Sequence, residues 1–97
     1  MIDLTLVEGF EWDDGNARKS LDKHAASQAE QVFAHEPLLA EDFWHSQEEK
    51  RFQALGETIE GRRLHVTFTV RSSGRKIRVI SARDMNRKER AIYEKES

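Results

Sequence analysis

The chain predicts an α+β domain: two N-terminal helices packed on an antiparallel sheet, with a C-terminal helix. Three observations carry this expectation. Apolar residues recur at helical spacing up to Pro37, the only proline in the chain. Beyond it the apolar period falls to two, and a helical spacing returns near residue 84. Helices that precede and follow a run of strands, rather than alternating with them, mark the α+β class. With 97 residues, the chain is expected to form one domain over 1–97.

Residues 7–12 read as a first strand that stops at the turn-rich Asp13-Asp14-Gly15. A helix is predicted over 16–24, with Asp13 or Asp14 as N-cap and Ala17 and Leu21 turned inward. Ser27-Gln28-Ala29-Glu30 has capping-box spacing and opens a second helix, whose apolar stripe is Ala29, Val32 and Phe33 and which Pro37 ends. A strand over 38–43 leads into a polar stretch at 44–49, and a strand over 51–58 is expected to break or bulge near Gly56. The clearest strand is 64–70, with Leu64, Val66, Phe68 and Val70 on one face and His65, Thr67 and Thr69 on the other. Ser72-Ser73-Gly74 turns the chain into a strand over 76–80. A closing helix over 84–94 would carry Met85, Ile92 and Tyr93 inward.

Composition narrows the function. Cysteine is absent, so disulfides and thiolate chemistry are excluded. No signal-like segment and no apolar run near the ~20 residues of a bilayer span is visible, so a soluble, cytoplasmic protein without membrane partners is expected. The net charge of −2 conceals an asymmetry. Residues 1–49 hold 3 Lys or Arg and 12 Asp or Glu, a balance of −9, whereas residues 50–97 hold 13 and 6, a balance of +7. The basic half can focus a positive field on a polyanion, unless the two halves interleave in space and cancel. His24, His35, His45 and His65 lack metal-ligand spacing, and no glycine-rich phosphate loop occurs, so neither metal nor cofactor is expected.

Four fragments, in order, carry a family resemblance: Phe10-Glu11-Trp12-Asp13, Asp22-Lys23-His24, Glu49-Lys50-Arg51-Phe52 with Gly56, and Arg78-Val79-Ile80-Ser81-Ala82-Arg83 leading to Glu89 and Tyr93. Ser27, Val32-Phe33 and Gly61-Arg62 fit the same pattern. Together they resemble the BrnT family of type II toxins, which is similar in fold to RelE-like ribonuclease toxins. The resemblance implies RNA cleavage, translational arrest and a BrnA-like ribbon-helix-helix antitoxin in a 2:2 assembly, with operator DNA bound only through the antitoxin. Asn16, Ser20, Ala25 and Gln28 depart from the usual Lys, Asn, Gly and aromatic. These departures motivate a second reading, a catalytically degenerate homologue that binds its antitoxin and regulates its own operon.

Metal-free RNA cleavage needs a proton acceptor for the 2′-hydroxyl, a donor for the leaving 5′-oxygen and cations on the phosphorane. His24 suits either proton role, and at the end of a helix its charged form would be favoured, which points to the acid. The alternative is a helix cap. Arg51 and Arg83 are the candidate phosphate clamp, because a guanidinium holds phosphate in two-pronged fashion. The alternative for Arg83 is a structural ion pair with Glu89 or Glu49. Lys23 and Arg78 are candidate RNA contacts. Tyr93 could stack on a base or donate a proton, against a plain core role. Glu49 and Glu89 would orient the arginines, and His65 is the second-choice acid–base group.

Overall fold

The computed structural model describes residues 6–11, 23–42, 50–71 and 74–96, with the backbone alone at 23–27 and 42. Strand β1 (Gly9–Glu11) is followed by α1 (Lys23–Ala34), then β2 (Leu38–Asp42), β3 (Arg51–Glu57), β4 (Arg63–Arg71), β5 (Lys76–Asp84) and α2 (Arg87–Glu96). The strands form one sheet in the order β1-β5-β4-β3-β2. The chain is α+β as expected, but the sheet is mixed: β2 through β5 are antiparallel neighbours, whereas β1 runs parallel to β5. A strand that reaches the far edge through a helix and three other strands is free of the hairpin constraint that makes neighbours antiparallel.

One face of the sheet carries the core. Phe52, Ala54 and Gly56 of β3 pair with Phe68, Val66 and Leu64 of β4, and α1 lays Ala29 and Val32 over them. Phe33 of α1 meets Phe68 edge-on, with ring centroids 4.9 Å apart, and Phe52 stacks on Phe68 at 5.7 Å. Such pairs add to the burial of apolar area that holds a small domain together. The helix stops where the chain turns left-handed at Glu36 (φ 49°), just before Pro37, and the His35 ring nitrogen Nδ1 donates to the Gln31 carbonyl at 2.8 Å.

Several expectations need correction. The helix predicted over 16–24 lies mostly outside the described residues. The boundary placed at Ser27 is absent: α1 is continuous from Lys23, so Ser27 is inside a helix and not its N-cap. Strand β3 runs unbroken through Gly56. That glycine is there for space: a Cβ would lie 2.8 Å from Val32 Cγ1 and 3.3 Å from Pro37 Cβ. The closing helix begins later, at Arg87, and buries no residue. Met85 is buried ahead of it, but Ile92 is 45 % exposed and not an inward residue. Among the described residues no helix is long and apolar enough to cross a membrane.

Candidate active site on the second face of the sheet

Alternation sends Arg51, Gln53 and Leu55 of β3, and His65, Thr67 and Thr69 of β4, to the face away from α1. On β5 strict alternation would fail. Ile77 and Val79 are core residues, so an unbroken count would put Arg83 into the core as well. Thr67 pairs with Ser81 and Phe68 with Val79, which leaves Ile80 as an extra residue, a β-bulge. The bulge reverses the phase. Ala82 then packs against the core, and Arg83 joins Arg78 on the second face.

Arg83 stands directly across from His65, which stands across from Leu55. Above this row comes Glu89 of α2. Both guanidinium nitrogens of Arg83 donate to Glu89, Nη1 to Oε1 and Nη2 to Oε2, each at 2.8 Å. The Glu89 carboxylate also accepts the Asn86 backbone amide at 2.9 Å, while Asn86 Oδ1 accepts the Glu89 amide at 2.8 Å. This reciprocal pair caps α2. His65 Nε2 lies 3.6 Å from Glu89 Oε2. Hydrogen bonding to Arg83 is the largest influence on Glu89, followed by an opposing burial effect and then the Asn86 amide; the carboxyl is held below its ordinary range. Arg83 is shifted upward by the same bond. His65 and Glu89 line a cleft of about 600 Å³ between β2, β3 and α2, with Leu38, Leu55 and Ile92 in its walls.

Tyr93 sits one row away. The Arg63 guanidinium lies 5.7 Å from its ring centroid, within cation–π reach, and Arg63 is held by Glu57 at 3.2 Å and by Glu94. Burial, then the Glu57 charge, push the Tyr93 hydroxyl upward. Arg78 pairs in register with Thr69, and Arg51 lies one residue before Phe52, the partner of Phe68. These two arginines therefore flank Thr69, about 13 Å along the strands from the His65 row at ~3.3 Å per residue. Arg51, Arg78 and Arg83 share the second face, at two separate places on it.

His24 and Lys23 belong to the first turn of α1, the helix that covers the opposite face. His24 is thus at the start of the described helix and not at the end of one, which removes the dipole argument for a charged imidazole; neither side chain is among those described. Glu49 lies outside the described residues. Among the described residues, no group of three or more His, Asp or Glu side chains could hold a metal ion. His65, the second-choice acid–base group, is buried at 6 % exposure, and the cap residue Asn86 went unnoticed although Asn86-Arg87-Lys88-Glu89 has capping-box spacing. The bulge at Ile80 left no local signal.

A family model described as the ribonuclease toxin BrnT of type II toxin-antitoxin systems matches residues 12–89. The chain belongs to the BrnT family. The match takes in β2 to β5 and reaches the Glu89 cap, while Tyr93 lies past its end. BrnT members are ribonuclease toxins, and a type II system pairs the toxin with an antitoxin. No curated protein matches the chain. Gly61-Arg62, part of the resemblance, serves the scaffold: Arg62 Nε donates to Asp84 at 2.7 Å and its Nη1 to Gln28, which ties the β3–β4 turn to α1 and to the end of β5.

Proposed function

We propose that the chain cleaves RNA without a metal ion on the second face of its sheet, and so arrests translation in the cytoplasm. The supporting observation is that Arg51, Arg78 and Arg83 share, at two places about 13 Å apart, the face on which Glu89 of α2 meets His65. In the reaction the 2′-oxygen bonds to the adjacent phosphorus and the bond to the 5′-oxygen breaks. The 2′-hydroxyl loses a proton to a base, and the departing oxygen gains one from an acid. The products are a 2′,3′-cyclic phosphate and a free 5′-hydroxyl. Guanidiniums supply the positive charge that the phosphorane requires, which is the work a metal ion does elsewhere. Arg83 would hold the scissile phosphate, Arg51 and Arg78 a neighbouring one, with Glu89 keeping Arg83 in place. Tyr93 and Glu49 are proposed contributors, whereas Lys23 as a phosphate contact and His24 as a proton-transfer group require RNA that also reaches α1 on the other side of the sheet.

The silencing partner is proposed as a BrnA-like ribbon-helix-helix antitoxin in a 2:2 assembly, which alone contacts operator DNA. A second reading is favoured by one observation: Glu89 occupies both prongs of the Arg83 fork. A degenerate toxin that only binds its antitoxin would need no free clamp. Incubating the purified chain with RNA in EDTA separates the readings. Cleavage to 2′,3′-cyclic ends is expected. Activity that chelator abolishes and magnesium restores would overturn the metal-free route, and no activity under either condition would favour the degenerate toxin.

A further inference from the structure

The two oxygens of Glu89 accept three hydrogen bonds. Oε1 accepts from Arg83 Nη1 and from the Asn86 amide, and Oε2 accepts from Arg83 Nη2. His65 Nε2 lies 3.6 Å from Oε2, beyond hydrogen-bond length. Exposure divides the three side chains: Arg83 is half exposed at 51 %, whereas Glu89 is at 16 % and His65 at 7 %. A phosphodiester fits the same guanidinium fork that Glu89 now fills. If a phosphate drew Arg83 outward, Glu89 would be left a carboxylate in a poorly solvated place without its cation, which is costly. It also could not follow Arg83, because it caps α2.

We infer that His65 takes over Glu89 when an RNA phosphodiester draws Arg83 away, so that phosphate binding at Arg83 is coupled to uptake of one proton by the His65 imidazole. The inference rests on the reading of this face as the RNA site. Charge balances throughout. The free protein holds an Arg83–Glu89 pair with the His65 imidazole 3.6 Å from the carboxylate, where its charge acts on Glu89 less than the hydrogen bonding of Arg83 does. The complex holds an Arg83–phosphate pair and an imidazolium–Glu89 pair, the proton coming from solvent. The described charged groups round His65 fit that sense. Arg83 from β5 opposes its protonation in the free state and is neutralised in the complex. Lys88 and Glu96 of α2 share the cleft and offset each other, as do Glu57 of β3 and Arg63, which pair in the adjacent row; β2 contributes Leu38, Leu39 and Ala40, without charge. His65 is here a positioning residue: it holds the emptied carboxylate, and through it the helix cap, while Arg83 is on the substrate.

The probe is a 2′-O-methyl hexaribonucleotide, whose phosphodiesters do not titrate near neutrality and whose blocked 2′-oxygens cannot attack. Its Kd is measured from about pH 8 to about pH 5.5 on the parent and on His65→Asn. Each unit by which binding raises the imidazole pKa tightens parent binding by about tenfold at the acid end. The parent is expected to show that tightening beyond whatever the other histidines cause in His65→Asn. Equal pH dependence in the two proteins would overturn the inference. Should His65→Asn fail to fold, the His65 ring resonances of the parent decide: a titration midpoint that the hexanucleotide moves upward supports the coupling, and an unmoved midpoint refutes it. Parent binding without pH linkage defeats only the coupling. No binding at any pH defeats the RNA-face reading and the coupling with it.

Discussion

Arg83 reaches solvent on the second face because Ile80 is inserted ahead of it, and Glu89 then fixes its fork. The carboxyl of Glu89 lies below its ordinary value of 4.5, chiefly through Arg83 and then, against the cost of burial, through the Asn86 amide. A depressed carboxyl contributes stability that is present above its unfolded value and is lost as pH falls through the folded one. Glu89→Gln loses the charge-assisted bonds, at a cost of about 1–2 kcal/mol near neutrality. Urea melts should therefore separate parent and variant at pH 7 and bring them together as pH drops well under 4. A gap that stays constant down to acid pH would show that Glu89 carries no linked proton. At this scale the sequence was half legible. It paired Arg83 with a glutamate among its alternatives and named Glu89. It could not place Arg83 on the face of His65, because the face Arg83 takes depends on the bulge at Ile80, and a bulge is a matter of register between two strands.

Elements were legible where one period ran without interruption. Strand β4 alternates through its whole length and was recovered almost to the residue. The start of α1 was misread because Ser27 and Glu30 have capping spacing. An interior serine costs a helix only about half a kcal/mol, however, so the longer run of backbone bonds from Lys23 wins. Helix α2 was expected to bury Ile92. Instead it is attached by its polar side, through Arg83–Glu89 and Arg63–Glu94, and so its apolar residues predict little about its packing. Gly56 gives the sharpest test at this level. In Gly56→Ala the new methyl would lie 2.8 Å from Val32 Cγ1, and Val32 is fully buried. Overpacking of this kind costs about 1–3 kcal/mol. Thermal melting should show that loss, and Gly56→Ala should cost less in a Val32→Ala background, since the two side chains contend for one space. Additive costs would mean that the glycine is kept for another reason.

At the scale of the whole molecule, the described strands of the two charge halves interleave in one sheet. The edge strands β1 and β2 come from the acidic half, and β3, β4 and β5 from the basic half occupy the middle of the sheet. Arg51, Arg78 and Arg83 of these middle strands share the second face, away from the helix that seals the core, whereas Arg62 reaches Gln28 of that helix. Fold class and the family resemblance were legible because they rest on order and spacing along the chain. The sharing of one face by Arg51, Arg78 and Arg83 was not, because it is a property of pairing. The central claim is that this face cleaves RNA with Arg83 on the phosphate. The most direct measurement is the single-turnover cleavage rate of Arg83→Ala and Arg83→Lys in EDTA, with a melting curve for each. Loss of the clamp should slow cleavage by about 10²–10³. Lysine should restore only part, having no fork, and the melting curves should show a cost of about 1 kcal/mol or less for the half-exposed pair. A folded Arg83→Ala protein that cleaves RNA as fast as its parent would contradict the account.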